Sequence, residues 1–466
     1  MKYPSSKPMW SRLLFPCLLV MIHVFILLRE RTAAEIPPMD DVYIHLVYGR
    51  SLISGNPLVY TGGDGATTGF TSPLWLPAAA ISSQAGTTAA PSLLMFASLL
   101  AAATLLYLAG PIPAMLLFLT GPFVFHAASG METSLACLVL FLAWRWMEEN
   151  GTPRSGGLIL LAAFLSRPEL ALLAIPMSLS LKRITPGNVA ALLAPSAVAG
   201  IIWVFFNLSV TGRPLPSTFY AKIYTSWPEA AKIGFPGLLK SMFLTSPLLP
   251  FATLFAAAYT WKDRKRGGVK RLAPALTPLV LFLAALSMQP NGYFQLRYYV
   301  PFLVSSVLLV ARRLENSIKD RKRRILSTAI LAASMVPGFL VFTGRRIDAS
   351  RDVMYIDVMP AKLIESIADQ DAVVAAADIG AVGWISGTGI LDLDGLVTPE
   401  RLNGENAGWK WIRERADYLL AFPEQYSDLT DEAGESIDFI GGYRSPTPVI
   451  CGEDTVALWK IERLDN

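Results

Sequence analysis

Two adjacent carboxylates, Asp40 and Asp41, head the run Val42-Tyr43-Ile44-His45-Leu46-Val47-Tyr48-Gly49-Arg50. A carboxylate held against a hydroxyl can take its proton, typically worth ~10²–10⁴ in rate. An adjacent pair could instead hold a divalent cation or an acceptor. Val42, Leu46 and Gly49 fall at helical spacing, as do Asp41, His45 and Tyr48, so the acids open a short helix predicted to lie on a membrane. An N-cap role accounts for one Asp but not both. Further polar groups recur at Ser129-Gly130-Met131-Glu132-Thr133, Arg167-Pro168-Glu169, Pro214 to Lys222 and Gln295-Leu296-Arg297-Tyr298-Tyr299. Charges at membrane depth are costly and are usually paired or functional.

The elements that must position these groups are mostly apolar. The chain has 466 residues, of which 53% are hydrophobic and 16% charged, with mean hydropathy +0.44. That composition excludes disorder and a disulfide scaffold and points to a polytopic membrane protein. Apolar runs are Leu13–Leu28 and about 91–109, 111–127, 132–147, 155–166, 168–181, 189–208, 243–261, 273–288, 299–311 and 325–343, giving about eleven expected spans. The first is read as an uncleaved helix, because Arg29-Glu30-Arg31 is a poor cleavage context. Thr71–Ala85, with Pro73 and Pro77, is read as an interfacial helix.

Charge sets the expected topology. With the N-terminus inside, the cytoplasmic segments carry 20 basic residues and the outer loops before the tail carry 9. Residues 344–466 hold 11 basic and 23 acidic residues, net −12, against +16 for the rest. The chain therefore divides into a membrane module, 1–343, whose first outer loop is 29–90, and an outer tail, 344–466. All the polar corners named above then face outward. The basic runs Lys262 to Arg266 and Arg321 to Arg324 read as topology anchors, and no nucleic acid partner is expected. The three cysteines, Cys17, Cys137 and Cys451, allow no disulfide within the tail, and the three histidines lack metal-ligand spacing. In the tail, helices are predicted at Met359–Ala368 and Trp409–Ala416. Strands are predicted at Ala372–Ala377, Gly389–Leu393, Tyr418–Phe422, Phe439-Ile440 and Val456–Ile461, making a small α/β domain. Asp378, Asp392 and Asp394 fall at strand ends, where turns favour Asp, and a scaffold or acceptor-side role is expected for the tail.

Seven motifs in order carry a resemblance: Asp-Asp-x-Tyr-Ile, Gly-x-Thr-Ser-Pro-Leu-Trp, Ser-Gly-x-Glu-Thr, Arg-Pro-Glu, Pro-x-Thr-Phe-Tyr-Ala-Lys, Arg-Tyr and Asp-x-Gly-Ala-x-Gly. Over nearly the whole chain, their order resembles the GT-C superfamily of membrane glycosyltransferases, closest to the bacterial branch of arabinofuranosyltransferase-like and mannosyltransferase-like enzymes. It departs from the pattern at Val42, Met131 and Trp384, none of them a catalytic position. The resemblance implies a mostly α, GT-C-like fold with a small extracytoplasmic α/β domain, in a multi-pass protein of the inner (plasma) membrane. It also implies transfer of a hexosyl or pentosyl group from a polyprenyl-phosphate donor to a hydroxyl on a cell-envelope glycan, lipid or protein.

In that reading Asp40 is the first choice of base and Asp41 the second, and the pair could hold a divalent cation. Arg297 and Lys222, then Arg167, would bind phosphate, because Arg offers a planar fork and Lys a mobile point charge. Tyr220, Tyr298 and Tyr299 would stack on a sugar or anchor at the interface, and Glu132 and Glu169 would orient the cations or bind sugar hydroxyls. The rival reading is a transporter or lipid flippase. It predicts internal repeats and mid-membrane charges; the two halves show no repeat, and the charges cluster at one face.

Overall fold

The structure, a computed structural model, describes residues 10–30, 35–61, 65–222, 227–267, 269–286, 295–403 and 408–463. It divides into two compact units, each discontinuous in sequence.

The first unit comprises residues 1–25, 96–202 and 225–344. Its core is a single apolar cluster that includes Leu116, Phe123, Leu140, Leu303 and Val307. Gly121 lets backbones meet there, since a Cβ at that position would lie 2.6 Å from the Gly338 carbonyl oxygen. Of the eleven runs expected to span, three of the described helices are long and apolar enough: Gly86–Ala109, Pro186–Thr211 and the continuous helical stretch Arg321–Ile367. A fourth span would be a pair, Gly234–Thr245 and Leu249–Lys262, bent by 101°. The other runs are shorter or broken, and proline is the usual reason. Run 111–127 becomes Pro111–Phe118 and Gly121–Ala127, parted before Pro122. Run 168–181 starts as a tight turn, Pro168–Leu173, and continues as Ala174–Leu179. The bend near residue 247 falls at Ser246-Pro247. Large apolar side chains such as Phe251 and Leu254 stay exposed, as lipid-facing ones would be.

The second unit comprises residues 26–95, 203–224 and 345–466. It opens with α1 (Asp41–Ile53) and α2 (Leu76–Ser83), the latter shorter than the expected 71–85 helix. These two helices pack so tightly that a Cβ on Gly49 would lie 2.6 Å from the Ala79 carbonyl carbon. The helix Arg321–Val353 runs through a π-helical turn, Met354–Val358, into α3 (Met359–Ile367). Then follow β1 (Val373–Ala376), α4 (Gly380–Ile385), β2 (Gly389–Asp392), α5 (Trp409–Arg413), β3 (Tyr418–Ala421), α6 (Ser427–Ala433), β4 (Ile437–Arg444) and β5 (Thr455–Ile461). The strand order is β2-β1-β3-β5-β4. β1 is parallel to both β2 and β3, and β5 is antiparallel to β3 and β4. The α/β tail predicted from sequence is therefore present, with each predicted element within a few residues of its expected place; α4 and α6 were not predicted. In a parallel 2-1-3 arrangement the connections leave in opposite directions beside β1, which opens a crevice at the strands' carboxyl ends. Asp378 follows β1 directly, and Asp392 ends β2.

Candidate functional site

The predicted site residues fall into two groups, one in each unit. In the second unit, Asp40 occupies the N-cap position of α1 but makes no cap bond with its side chain. Its carboxylate instead accepts the backbone N–H groups of Gly380 (2.7 Å) and Ala381 (2.6 Å), at the start of α4. The Asp-x-Gly-Ala-x-Gly motif thus has a steric purpose, since a Cβ on Gly380 would collide with the Asp40 carboxylate and carbonyl oxygens. Tyr60 braces the same turn by donating its hydroxyl to the Ile379 carbonyl at 2.9 Å. The Gly69 motif is steric as well. The Gly69 N–H donates to the Tyr48 hydroxyl at 2.9 Å, and a Cβ there would lie 2.5 Å from Val397 Cγ1.

Carboxylates crowd this region. Burial pushes the pKa of Asp40 up to about 7, with Asp41's charge adding to the rise and the two amide bonds opposing it. Asp378 is raised well above the carboxylate range by burial, then by the charges of Asp40, Asp394 and Asp41. Asp392 is raised to about 7 by burial and by Asp394. Groups that repel one another this strongly titrate as a set.

Asp357, on the π-helical turn, lies 3.6 Å from the Cys451 thiol. The ligand atoms of Asp357, Asp378 and Cys451 all fall within 4.8 Å of one another. Asp352 stands beside them. One of its oxygens accepts the N–H groups of Val449, Ile450 and Cys451 at 2.8–3.1 Å, and the other is buried without a partner. Two carboxylates and a thiolate make a mixed hard and soft donor set that suits a borderline divalent ion such as zinc, and the orphaned Asp352 oxygen beside them is compatible with such an ion. The sequence offered no signal for Asp357 or Cys451, because a π-turn inside a helix and a solitary cysteine look ordinary. Asp378 was legible only through its motif.

Tyr220 lies on the short helix Ser217–Lys222, with the Arg213 guanidinium 4.8 Å from its ring centre. That helix is tied to the first loop by two bonds with Thr68, one from the Ser217 N–H (2.9 Å) and one between the two hydroxyls (3.0 Å). Lys222 ends the helix, and its side chain lies outside the described residues.

In the first unit, Glu132, Arg167, Glu169, Arg297 and Tyr298 come together. Arg167 is 4% exposed and pairs with Glu169 at 2.5 Å and Glu132 at 3.4 Å. The Tyr298 ring lies 5.1 Å from the guanidinium carbons of both Arg167 and Arg297, and its hydroxyl accepts from Arg297 at 3.0 Å. Tyr299 is buried in the core below. His126, which sequence reading set aside, is fully buried beside this group, its Nε2 3.1 Å from the Gln295 carbonyl. Two guanidiniums on one tyrosine form a place where an anion could bind.

Residues 356–459 match a family described as a Domain of unknown function (DUF8728). No curated protein matches the chain. ArnT from Cupriavidus metallidurans in the apo state is similar, with a TM-score of 0.56 and 10% identity over 97% of this chain and 99% of that one. ArnT bound to undecaprenyl phosphate gives 0.55 and 10% over 96% and 97%. The archaeal oligosaccharyltransferase AglB from Archaeoglobus fulgidus, in complex with an inhibitory peptide and a dolichol-phosphate, gives 0.51 and 12% over 89% of this chain and 70% of that one. At such identities the likeness is one of fold, and the fold this chain shares with them is the GT-C fold.

Proposed function

We propose that the protein is an integral-membrane glycosyltransferase that moves a sugar from a polyprenyl-phosphate donor to an acceptor hydroxyl at the extracytoplasmic face. The observation that carries the reading is Asp40, a carboxylate fixed on two backbone amides with its pKa raised to about 7. A base whose pKa lies near the working pH combines ionisation with a real appetite for a proton. The fold shared with proteins solved with undecaprenyl phosphate or dolichol-phosphate supports the donor class.

In this mechanism the acceptor hydroxyl gives its proton to Asp40, and its oxygen forms a bond to the anomeric carbon. The bond from that carbon to the phosphate oxygen breaks, and its electron pair leaves with the polyprenyl phosphate. Asp41 raises the basicity of Asp40 through its like charge. Arg297 and Arg167, with Lys222, bind the phosphate. Tyr298 holds the two guanidiniums, and Glu132 and Glu169 orient Arg167. Tyr220 lies against the sugar. A divalent cation, for which the sequence offered Asp40 and Asp41 as one option, is proposed to use Asp357, Asp378 and Cys451, because both Asp40 oxygens already serve amides. Bound there, it would neutralise the carboxylate cluster.

The reading also includes about eleven membrane crossings, a cytoplasmic N-terminus, an extracytoplasmic tail, and a pentosyl or hexosyl donor of the arabinofuranosyltransferase-like or mannosyltransferase-like kind. The acceptor is a cell-envelope glycan, lipid or protein. Purified protein incubated with a panel of polyprenyl-phosphate sugars should release the lipid phosphate from one of them. Asp40→Asn should fold and lose transfer by ~10²–10⁴-fold, and Asp41→Asn should fold and transfer more slowly. Full transfer by both folded variants would overturn the proposal.

A further inference from the structure

The second unit contains a polar cleft of about 190 Å³ whose walls include Arg50, Ser51, Asn56, Tyr60, Thr61 and Thr388. It is small against the ~300–1,000 Å³ of drug-sized ligand sites, so it suits a single sugar ring better than an extended chain. Among the described residues no acidic one lines it. Among the described residues Arg50 supplies the only charge on its walls, and its two hydrogen bonds go to backbone carbonyls, Gly383 at 3.1 Å and Trp384 at 3.3 Å. Its guanidinium stacks 4.8 Å from the Trp384 ring centre, and the indole N–H is itself anchored on the Thr87 carbonyl at 3.0 Å. Among the described residues no carboxylate forms an ion pair with Arg50. Burial lowers its pKa from the usual arginine value, because desolvation disfavours the charged form. A ligand anion would supply what the fold leaves out.

The rest of the wall includes hydroxyl and amide groups able both to donate and to accept, beside the apolar Val59 and Ile390, the complement of a ring bearing several hydroxyls and C–H groups. The cleft also has a fixed relation to Asp40. One end of α4 gives the Gly380 and Ala381 amides to Asp40, and its Gly383, near the other end, lines the cleft. Six helical residues span about 9 Å.

We propose that this cleft is an acceptor subsite for an acidic sugar of the hexuronate class, its carboxylate on Arg50 and its hydroxyls on the serine, threonine and asparagine side chains. This rests on the transferase reading for the word acceptor, but not for binding. The test is saturation-transfer NMR and calorimetry on the full chain in detergent, with glucuronate, glucose and inorganic phosphate as separate probes. Glucuronate should bind at least tenfold more tightly than either of the others. Arg50→Gln should weaken glucuronate at least tenfold. Ser51→Phe, which fills the cleft and leaves Arg50 in place, should abolish binding with an unchanged melting temperature. Asp40→Asn should bind glucuronate as the parent does.

No glucuronate binding by the parent, equal binding of glucose or phosphate, or undiminished binding by Ser51→Phe would each overturn the subsite. If glucuronate binds as expected but no donor is ever turned over, the transferase reading fails and the acidic-sugar site stands.

Discussion

The raised pKa of Asp40 makes the pH dependence of transfer the sharpest test of its role. The perturbation is pH alone, varied between 6 and 8. With a pKa of about 7, the carboxylate is mostly protonated at pH 6 and mostly ionised at pH 8, so a reaction that needs it as base speeds up several-fold, up to about tenfold where it titrates as a lone site. A carboxylate at the ordinary value of 3.8 is more than ~0.99 ionised at both pH values and gives a flat profile. The donor's phosphodiester carries one charge throughout and contributes nothing. Unfolding cannot mimic the effect, because the stability term has the opposite sign. A carboxyl whose folded pKa lies above its unfolded value stabilises the fold fully below about 3.8 and loses that contribution as pH rises towards about 7. On acidification, then, this group makes the protein slower while helping to hold it together. The assay is the initial rate of lipid-phosphate release at saturating donor, with a melting curve at each pH. Asp41→Asn removes a like charge that raises Asp40, so its profile should move to lower pH. A flat parent profile, or one that falls as pH rises, would refute Asp40 as the base.

Two further outcomes follow from the packing. Gly380→Ala would gain about 1 kcal/mol of helix propensity in open space, but its Cβ collides with the Asp40 oxygens. Overpacking of this kind costs about 1–3 kcal/mol, so the variant should melt lower and transfer more slowly, and an unchanged or higher melting temperature with normal transfer would contradict the contact. Arg167→Met removes the buried cation that pairs with Glu169 and Glu132. Breaking a buried pair in this way costs about 3–5 kcal/mol, read as a large fall in melting temperature that Arg167→Met/Glu132→Gln/Glu169→Gln should partly restore.

Much of the fold was legible because period and punctuation agree with burial. The tail strands are short apolar runs bounded by Gly, Asp or Pro, and each forms where that pattern puts it, from β1 at Val373–Ala376 to β5 at Thr455–Ile461. The spans were less legible, since hydropathy reports apolar length but not continuity: Pro122 and Pro247 interrupt runs that read as unbroken. In the site, Arg167, Glu169, Glu132, Arg297 and Tyr298 were found as polar residues in apolar surroundings, a signal that survives without any knowledge of packing. Asp352, Asp357 and Cys451 gave no such signal. What brings them together is the crossing of a helix by the segment before β5, a long-range contact that no local spacing encodes.

The tail was expected to be scaffold or to serve the acceptor, and the Asp40 contact argues for a closer part in the site. Asp40 is separated from Gly380 and Ala381 by 340 and 341 residues, yet its carboxylate has no other hydrogen bond among those described. An acid at an N-cap would ordinarily satisfy its own helix. Here it forgoes that bond and lets α4 fix the direction of both oxygens. The conflict between local preference and observed partner is the kind that persists when the surrounding structure over-determines it, and such conflicts concentrate at functional sites. The same tail supplies Asp378, whose own pKa is raised by burial and then by the charges of Asp40, Asp394 and Asp41. Removing the tail would therefore take away the two amides that position Asp40 and expose the carboxylate to water, and burial is the largest cause of its raised pKa, so the first loop alone would hold an ordinary surface acid.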